Sequence, residues 1–179
     1  KKLRKLPGFA EKTEKTLLEG IKFVRTRPKR FLYSLATPVV EEIKEHLSKN
    51  KFVKKVEVSG SFRRRKETIG DLDFLVVSKQ PSKVMDSFVK LPDVKRVLAK
   101  GRTKSSLRLS NGMQVDLRVV KEKEFGSAMN YFIGSKDHNV ALRKFALSKG
   151  YTLSEYGLFK LNGKKWVAGK TEKDIYKKL

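Results

Sequence analysis

A chain of 179 residues is long enough for one full hydrophobic core, or for a core domain with one or two small satellites. With 39% hydrophobic and 35% charged residues it reads as globular rather than disordered, and no apolar run approaches the roughly 20 residues that span a bilayer, which excludes membrane insertion. Lys and Arg total 43 against 19 Asp and Glu, a net charge of +24 that points to a polyanionic partner, nucleic acid ahead of an anionic membrane surface; with no cysteine, disulfides and thiolate chemistry are excluded.

The opening Lys1 to Lys5 leads into Leu6-Pro7-Gly8 and not into the apolar h-region of a secretory signal. A start without Met is read as a piece cut from a longer protein. From Leu3 to Gly20 the pattern is Leu3 and Leu6, a Pro7-Gly8 break, then Leu17, Leu18 and Ile21 at helical spacing. That shape fits the second half of a helix-hairpin-helix, which aims backbone N–H groups at a DNA phosphate, and fits a plain αα-hairpin equally well.

Thr37-Pro38 predicts an N-cap with proline at the first helical position, followed by the apolar face Val40, Ile43, Leu47. His46 lies off that face and is expected to be solvated rather than to ligate anything. Strands are predicted over Val53 to Val58 and Leu72 to Val77, with Gly60-Ser61 and the basic run Arg63 to Lys66 between them. Pro81 opens a helix bearing Val84, Phe88 and Leu91. Two alternating strands follow, Ser105 to Leu109 and Met113 to Val120, joined at Asn111-Gly112.

Helices are predicted from Glu124 to Gly134 and from about Ser135 to Gly150. Tyr151 to Val167 reads as short strands with an Asn162-Gly163 turn, and Thr171 to Asp174 as a capping box opening a last short helix. Strands and helices mix without a βαβ rhythm, so the expected architecture is α+β with a mixed or antiparallel sheet.

Period-two alternation puts Asp71 and Asp73 on one strand face, with Leu72, Phe74 and Val76 on the other. Two carboxylates so close repel each other, and a cation between them keeps both ionised. Asp116 projects with Gln114 and Arg118 from the polar face of a second strand, so three carboxylates converge if the two strands are neighbours. Oxygen-only ligands suit Mg²⁺ or Mn²⁺, and two such ions about 4 Å apart serve phosphoryl transfer. Gly60 and Ser61 then form a turn through which N–H and hydroxyl groups approach phosphate, with Arg64 as a forked donor.

Six motifs occur in order over nearly the whole chain: Gly60-Ser61-Phe62-Arg63-Arg64-Arg65, Gly70-Asp71-Leu72-Asp73, Gln114-Val115-Asp116-Leu117-Arg118, Tyr131-Phe132-Ile133-Gly134-Ser135, Asn139 with Arg143, and Glu155-Tyr156-Gly157-Leu158-Phe159. In these the chain resembles the family X (polymerase beta-like) DNA polymerases of the bacterial and archaeal branch. The resemblance implies a nucleotidyltransferase palm with a mixed or antiparallel sheet at about residues 33 to 122, a small α/β thumb at 123 to 179 and a helical fingers remnant at 1 to 32.

It also implies roles. Asp71 and Asp73 would bind both of two metal ions, and Asp116 the one that activates a primer 3′ hydroxyl. Ser61, Arg64 and the backbone at Gly60 and Gly70 would hold a deoxynucleoside triphosphate. Tyr131, Phe132 and Gly134 would lie along its sugar and disfavour a 2′ hydroxyl, while Asn139 would reach the nascent pair. Arg118, Arg143 and the hairpin at Gly8 and Ala10 would touch DNA; Arg143 and Asn139, four apart, share one helical face. Ala10 stands where the family usually has a second glycine, which weakens that hairpin's approach to phosphate.

The activity so implied is template-directed addition of deoxynucleotides to a primer end in gap-filling repair, by a monomer on primer-template or gapped DNA, in the cytoplasm at the nucleoid. An N-terminal lyase-like domain and a C-terminal phosphoesterase domain are expected to be missing from this piece. The rival readings are a template-independent, RNA- or small-molecule-modifying nucleotidyltransferase on the same palm, and a DNA-binding fragment without turnover.

Overall fold

The computed structural model describes residues 11, 13–18, 30–162 and 165–179. Gly8, Ala10 and the hairpin around them, and Gly163 of the Asn162-Gly163 turn, lie outside the described residues.

The chain runs through β1 (Phe31–Leu32), α1 (Tyr33–Ser48), β2 (Lys55–Val58), the single turn α2 (Gly60–Arg63), β3 (Thr68–Ile69), β4 (Asp71–Val77), α3 (Pro81–Phe88), β5 (Val94–Lys100), β6 (Lys104–Leu109) and β7 (Gln114–Val120). A 3₁₀ turn at Glu122–Glu124 leads into α4 (Phe125–Ile133) and α5 (Lys136–Ser148), then β8 (Tyr151–Ser154), β9 (Gly157–Lys160), β10 (Trp166–Ala168) and α6 (Glu172–Lys178).

The main sheet has the order β2-β4-β7-β6-β5, with β4 and β7 parallel and the other pairs antiparallel. Alternation assigns its two faces. Leu72, Phe74 and Val76 of β4, Val115, Leu117 and Val119 of β7, and Leu107 and Leu109 of β6 point into the core. That face is covered by α1 through Ala36, Val40, Ile43 and Leu47, and by α3 through Val84, Met85 and Phe88. Each of these side chains larger than alanine contributes about 2 kcal/mol by leaving water. The other face carries Asp71 and Asp73, then Leu75, which α4 covers with Ala128 and Met129. A second core, Leu142, Ala146, Leu153, Leu158, Ala168 and Ile175, holds α5 and α6 to the three-stranded sheet β10-β9-β8.

Several sequence expectations shift. Helix α1 begins at Tyr33, four residues before the expected cap, and Pro38 sits inside it. Tyr33 donates its N–H to Glu67 O at 2.9 Å and stacks on Phe62 at 4.5 Å, so packing draws an extra turn onto the sheet. The Thr37 hydroxyl, instead of capping, donates to Tyr33 O at 2.9 Å. His46 is half-buried and meets Ser87 Oγ at 3.4 Å. Gly60 and Ser61, read as a turn, open one helical turn that runs from Gly60 to Arg63.

Strand β5 was not signalled at all: it is an exposed edge with two irregularities in its pairing to β6, so its sequence lacks alternation. The later helices and the Thr171 capping box stand as read; Thr171 Oγ1 accepts from Asp174 N at 3.2 Å, and Asp174 Oδ2 from Thr171 N at 2.9 Å.

Candidate active site

Parallel pairing of β4 with β7 sets Asp73 directly opposite Asp116 and Asp71 opposite Gln114. The three carboxylates therefore share one face of neighbouring strands. Burial is the first reason that the Asp73 carboxyl is pushed up to about 7; the charges of Asp71 and Asp116 add to it, and Lys104 and Arg64 offset only part. Asp71 is raised by burial and then by Asp116, against the opposing pull of Arg30. The positive charges of Lys104, Arg64 and Arg30 offset only part of the carboxylates' mutual repulsion and burial, and hard oxygen donors in this setting fit Mg²⁺ or Mn²⁺.

Among the described residues, no group of three or more His, Cys, Asp or Glu side chains is already arranged to hold a metal ion. Asp116 is turned to other partners. Its Oδ1 accepts from Gln114 Nε2 at 3.0 Å, and its Oδ2 lies 3.6 Å from Lys104 Nζ.

Above β4 sits α2. Ser59 N and Oγ both donate to Asp73 O, at 2.7 and 3.1 Å, pinning the turn to the strand. Gly60 has φ +61 and lies so close that a Cβ would run into Asp73 Oδ2. Arg64 Nη1 donates to Ile133 O at the end of α4, and Arg64 Nε is buried with no partner.

A cleft of about 880 Å³ opens over this region. Gly60, Ser61, Arg64, Gly70, Asp71 and Asp73 form one wall. Tyr131, Phe132, Gly134, Asn139 and Arg143 form the other. The Tyr131 and Phe132 rings meet edge to face at 5.0 Å, and the Arg143 guanidinium lies 4.9 Å from the centre of the Tyr131 ring. Asn139 Nδ2 donates to Tyr131 O at 2.7 Å. The Gly134–Ser135 peptide is cis.

Asp116 and Arg118 do not line this cleft. They border an adjoining cavity of about 40 Å³ together with Ser59, Asp73, Lys104 and Phe132. Arg118 lies 4.8 Å from the centre of the Phe132 ring.

Three residues were given no role at the site by sequence. Arg30 lines the cleft beside Gly70 and is fixed by donating Nε to Thr68 Oγ1 at 2.9 Å and Nη2 to Thr68 O at 2.7 Å. Lys104 and Gln114 contact Asp116. In a chain with 43 Lys and Arg, nothing local marks Arg30 or Lys104. The alternation that exposes Asp116 does put Gln114 on the same face, which was the usable signal.

A mixed sheet with an acidic row on its open face, roofed by a glycine-led turn and a helix from a small α/β unit, defines a polymerase beta-like palm and thumb. The DNA polymerase beta palm model matches residues 28–127, and the DNA polymerase beta thumb model matches residues 128–179. The chain belongs to the family X DNA polymerases. It is 38% identical over 159 residues to the DNA polymerase/3′-5′ exonuclease PolX of Bacillus subtilis, an alignment covering 88% of this chain and 28% of that protein. It is 28% identical over 173 residues to the Repair DNA polymerase X of African swine fever virus, covering 92% of each. The crystal structure of Leishmania infantum polymerase beta in a ternary P/T complex superposes with a TM-score of 0.73 at 23% identity, over 97% of this chain and 80% of that one. The chain thus spans less than a third of the length of the bacillary relative. No helix among the described residues is long and apolar enough to cross a membrane.

Proposed function

We propose that this chain is the catalytic palm and thumb of a template-directed DNA polymerase that adds deoxynucleotides to a primer 3′ hydroxyl during gap-filling repair. The palm is assigned to residues 33–122, the thumb to 123–179 and a fingers remnant to 1–32. The observation that carries the reading is the register of Asp73, which lies under the Gly60 turn, against Asp116 across the parallel strand pair, with Asp71 two residues away.

Two divalent cations, Mg²⁺ or Mn²⁺, held by Asp71, Asp73 and Asp116, would neutralise charge on the transferring phosphoryl group and lower the pKa of the attacking hydroxyl. The chain's own groups do the positioning. Ser61, Arg64 and the backbone at Gly60 and Gly70 bind the triphosphate, all four residues lining the cleft. Arg30, rigid beside Gly70 and Asp71, adds a second guanidinium on that wall.

Tyr131, Phe132 and Gly134 flank the sugar, where the edge-to-face ring pair would crowd a 2′ hydroxyl. Asn139 and Arg143 face the nascent pair and template from α5, and Arg118 serves DNA through its hold on Phe132. A net charge of +24 favours DNA, primer-template or gapped, as the partner; the chain is read as a monomer that works in the cytoplasm at the nucleoid.

The Lys104–Asp116 contact favours a second reading, a DNA-binding piece without turnover. Primer extension with Mg²⁺ and then Mn²⁺, on gapped and ungapped templates bearing each of four bases, separates them. Incorporation that follows the template base supports the polymerase; incorporation blind to that base favours a template-independent transferase; DNA binding with no product favours the second reading.

A further inference from the structure

The two oxygens of Asp116 are held in different ways. Oδ1 accepts from Gln114 Nε2 at 3.0 Å, and Gln114 is oriented in turn by Arg108, whose Nη2 donates to Gln114 Oε1 at 3.3 Å and whose Nη1 donates to Gly112 O at 3.1 Å. This is a chain of half-buried side chains. Oδ2 faces one ammonium, Lys104 Nζ at 3.6 Å, on a side chain that is 54% exposed against 19% for Asp116.

The backbone of Lys104 is fixed. Gly101 N donates to its carbonyl at 2.8 Å, closing the β5–β6 turn, and Lys104 pairs in register with Arg118. Only the long stem and its charge are free to move, and a lysine loses little by returning to water.

An ammonium and a divalent cation compete for the same carboxylate oxygen, because each neutralises the same charge and they repel one another. We propose that Lys104 is a tethered competitor of the divalent cation at Asp116: it holds Oδ2 until a cation displaces it, and so sets the concentration of Mg²⁺ or Mn²⁺ at which Asp116 joins Asp71 and Asp73. This inference rests on the assignment of those three aspartates as cation ligands. It explains why three carboxylates that share a face are not already closed around one point. The Arg108–Gln114 chain keeps Oδ1 in place meanwhile, so displacement requires no strand movement.

Mn²⁺ titration of the whole chain without nucleotide or DNA, with free Mn²⁺ read by its EPR signal, tests this. Lys104→Met should tighten the Asp116-dependent site by about tenfold. Lys104→Arg keeps the charge and should stay within about twofold of wild type. In an Asp116→Asn background, Lys104→Met should lose most of its effect, keeping only the weaker pull that the lysine exerts on Asp73.

The proposal is overturned if Lys104→Met binds Mn²⁺ no more tightly than wild type, if Lys104→Arg tightens binding as much as methionine does, or if the methionine effect persists undiminished without the Asp116 charge. Should Asp116→Asn itself bind Mn²⁺ as wild type does, the assignment of Asp116 as a ligand fails and this inference falls with it. A silent Lys104→Met beside a weakened Asp116→Asn leaves the ligand assignment standing and removes the competitor alone.

Discussion

Asp73 and Asp116 are direct partners in the parallel pairing of β4 with β7, so their carboxylates leave the same face of adjacent strands. With Asp71 two residues upstream, the charges concentrate where burial already disfavours ionisation. This pair is where fold, electrostatics and chemistry meet.

Asp116→Ala should abolish nucleotide incorporation, by more than about a thousandfold, because several kcal/mol of charge stabilisation leave with the carboxylate. DNA affinity should stay within about twofold, since the side chain is no phosphate donor. Single-turnover primer extension beside a fluorescence anisotropy titration measures both; unchanged activity would remove Asp116 from the site.

Stability should depend on pH through Asp73. Its folded pKa, about 7, lies above the ordinary 3.8, so between these values the folded chain binds more protons than the unfolded one. Stability is then fully present below about pH 4 and is lost as pH rises through 7. For this one group the difference is at most about 4 kcal/mol. Asp73→Asn should flatten that slope relative to wild type, as measured by urea denaturation from pH 4 to 8, and added Mg²⁺ should restore wild-type stability at pH 7.5. Parallel pH curves for the two proteins would contradict the burial of this charge.

Gly60→Ala should destabilise the fold by about 1–3 kcal/mol, combining the left-handed φ with contact between the new Cβ and Asp73 Oδ2. Activity should fall further than stability, because the turn carrying Ser61 must lift away from Asp73. Denaturant midpoints and kcat on one preparation show whether the two losses separate.

Tyr131→Ala should loosen discrimination against ribonucleotides by roughly tenfold or more, equivalent to about 1–3 kcal/mol of lost steric selection. The ring also supports Arg143 and Phe132, so KM for the correct nucleotide should rise as well. An unaltered deoxy-to-ribo ratio of kcat/KM would place the sugar elsewhere.

Gly126→Ala tests how closely α4 packs on the start of α6. A Cβ there would overlap the backbone of Thr171, so α4 and the start of α6 must part, at about 1–3 kcal/mol. A melting curve unchanged within a degree would show that the contact yields without strain.

Much of this was legible in the chain itself. Alternation along Asp71 to Val77 and Gln114 to Val120 fixed which side chains enter the core, because a strand has period two and a half-buried sheet tolerates no slip. The same rule put Asp71, Asp73 and Asp116 on polar faces, and the Thr171 box and Gly150 marked helix ends by local chemistry alone.

Other features were decided by contacts between segments far apart in sequence. That β4 and β7 are neighbours, parallel, and in a register setting Asp73 against Asp116 follows from the sheet's topology, which alternation does not encode. The extra first turn of α1 depends on Tyr33 meeting Phe62, and the exposed edge β5 on a partner strand rather than on its own pattern. Which of so many lysines and arginines come near the acidic row and the cleft was also decided there. Arg30 reaches Thr68, Arg64 reaches Ile133 and Lys104 reaches Asp116 only because the folded sheet brings them close, and a charge acts through distance and burial rather than through its neighbours in the chain.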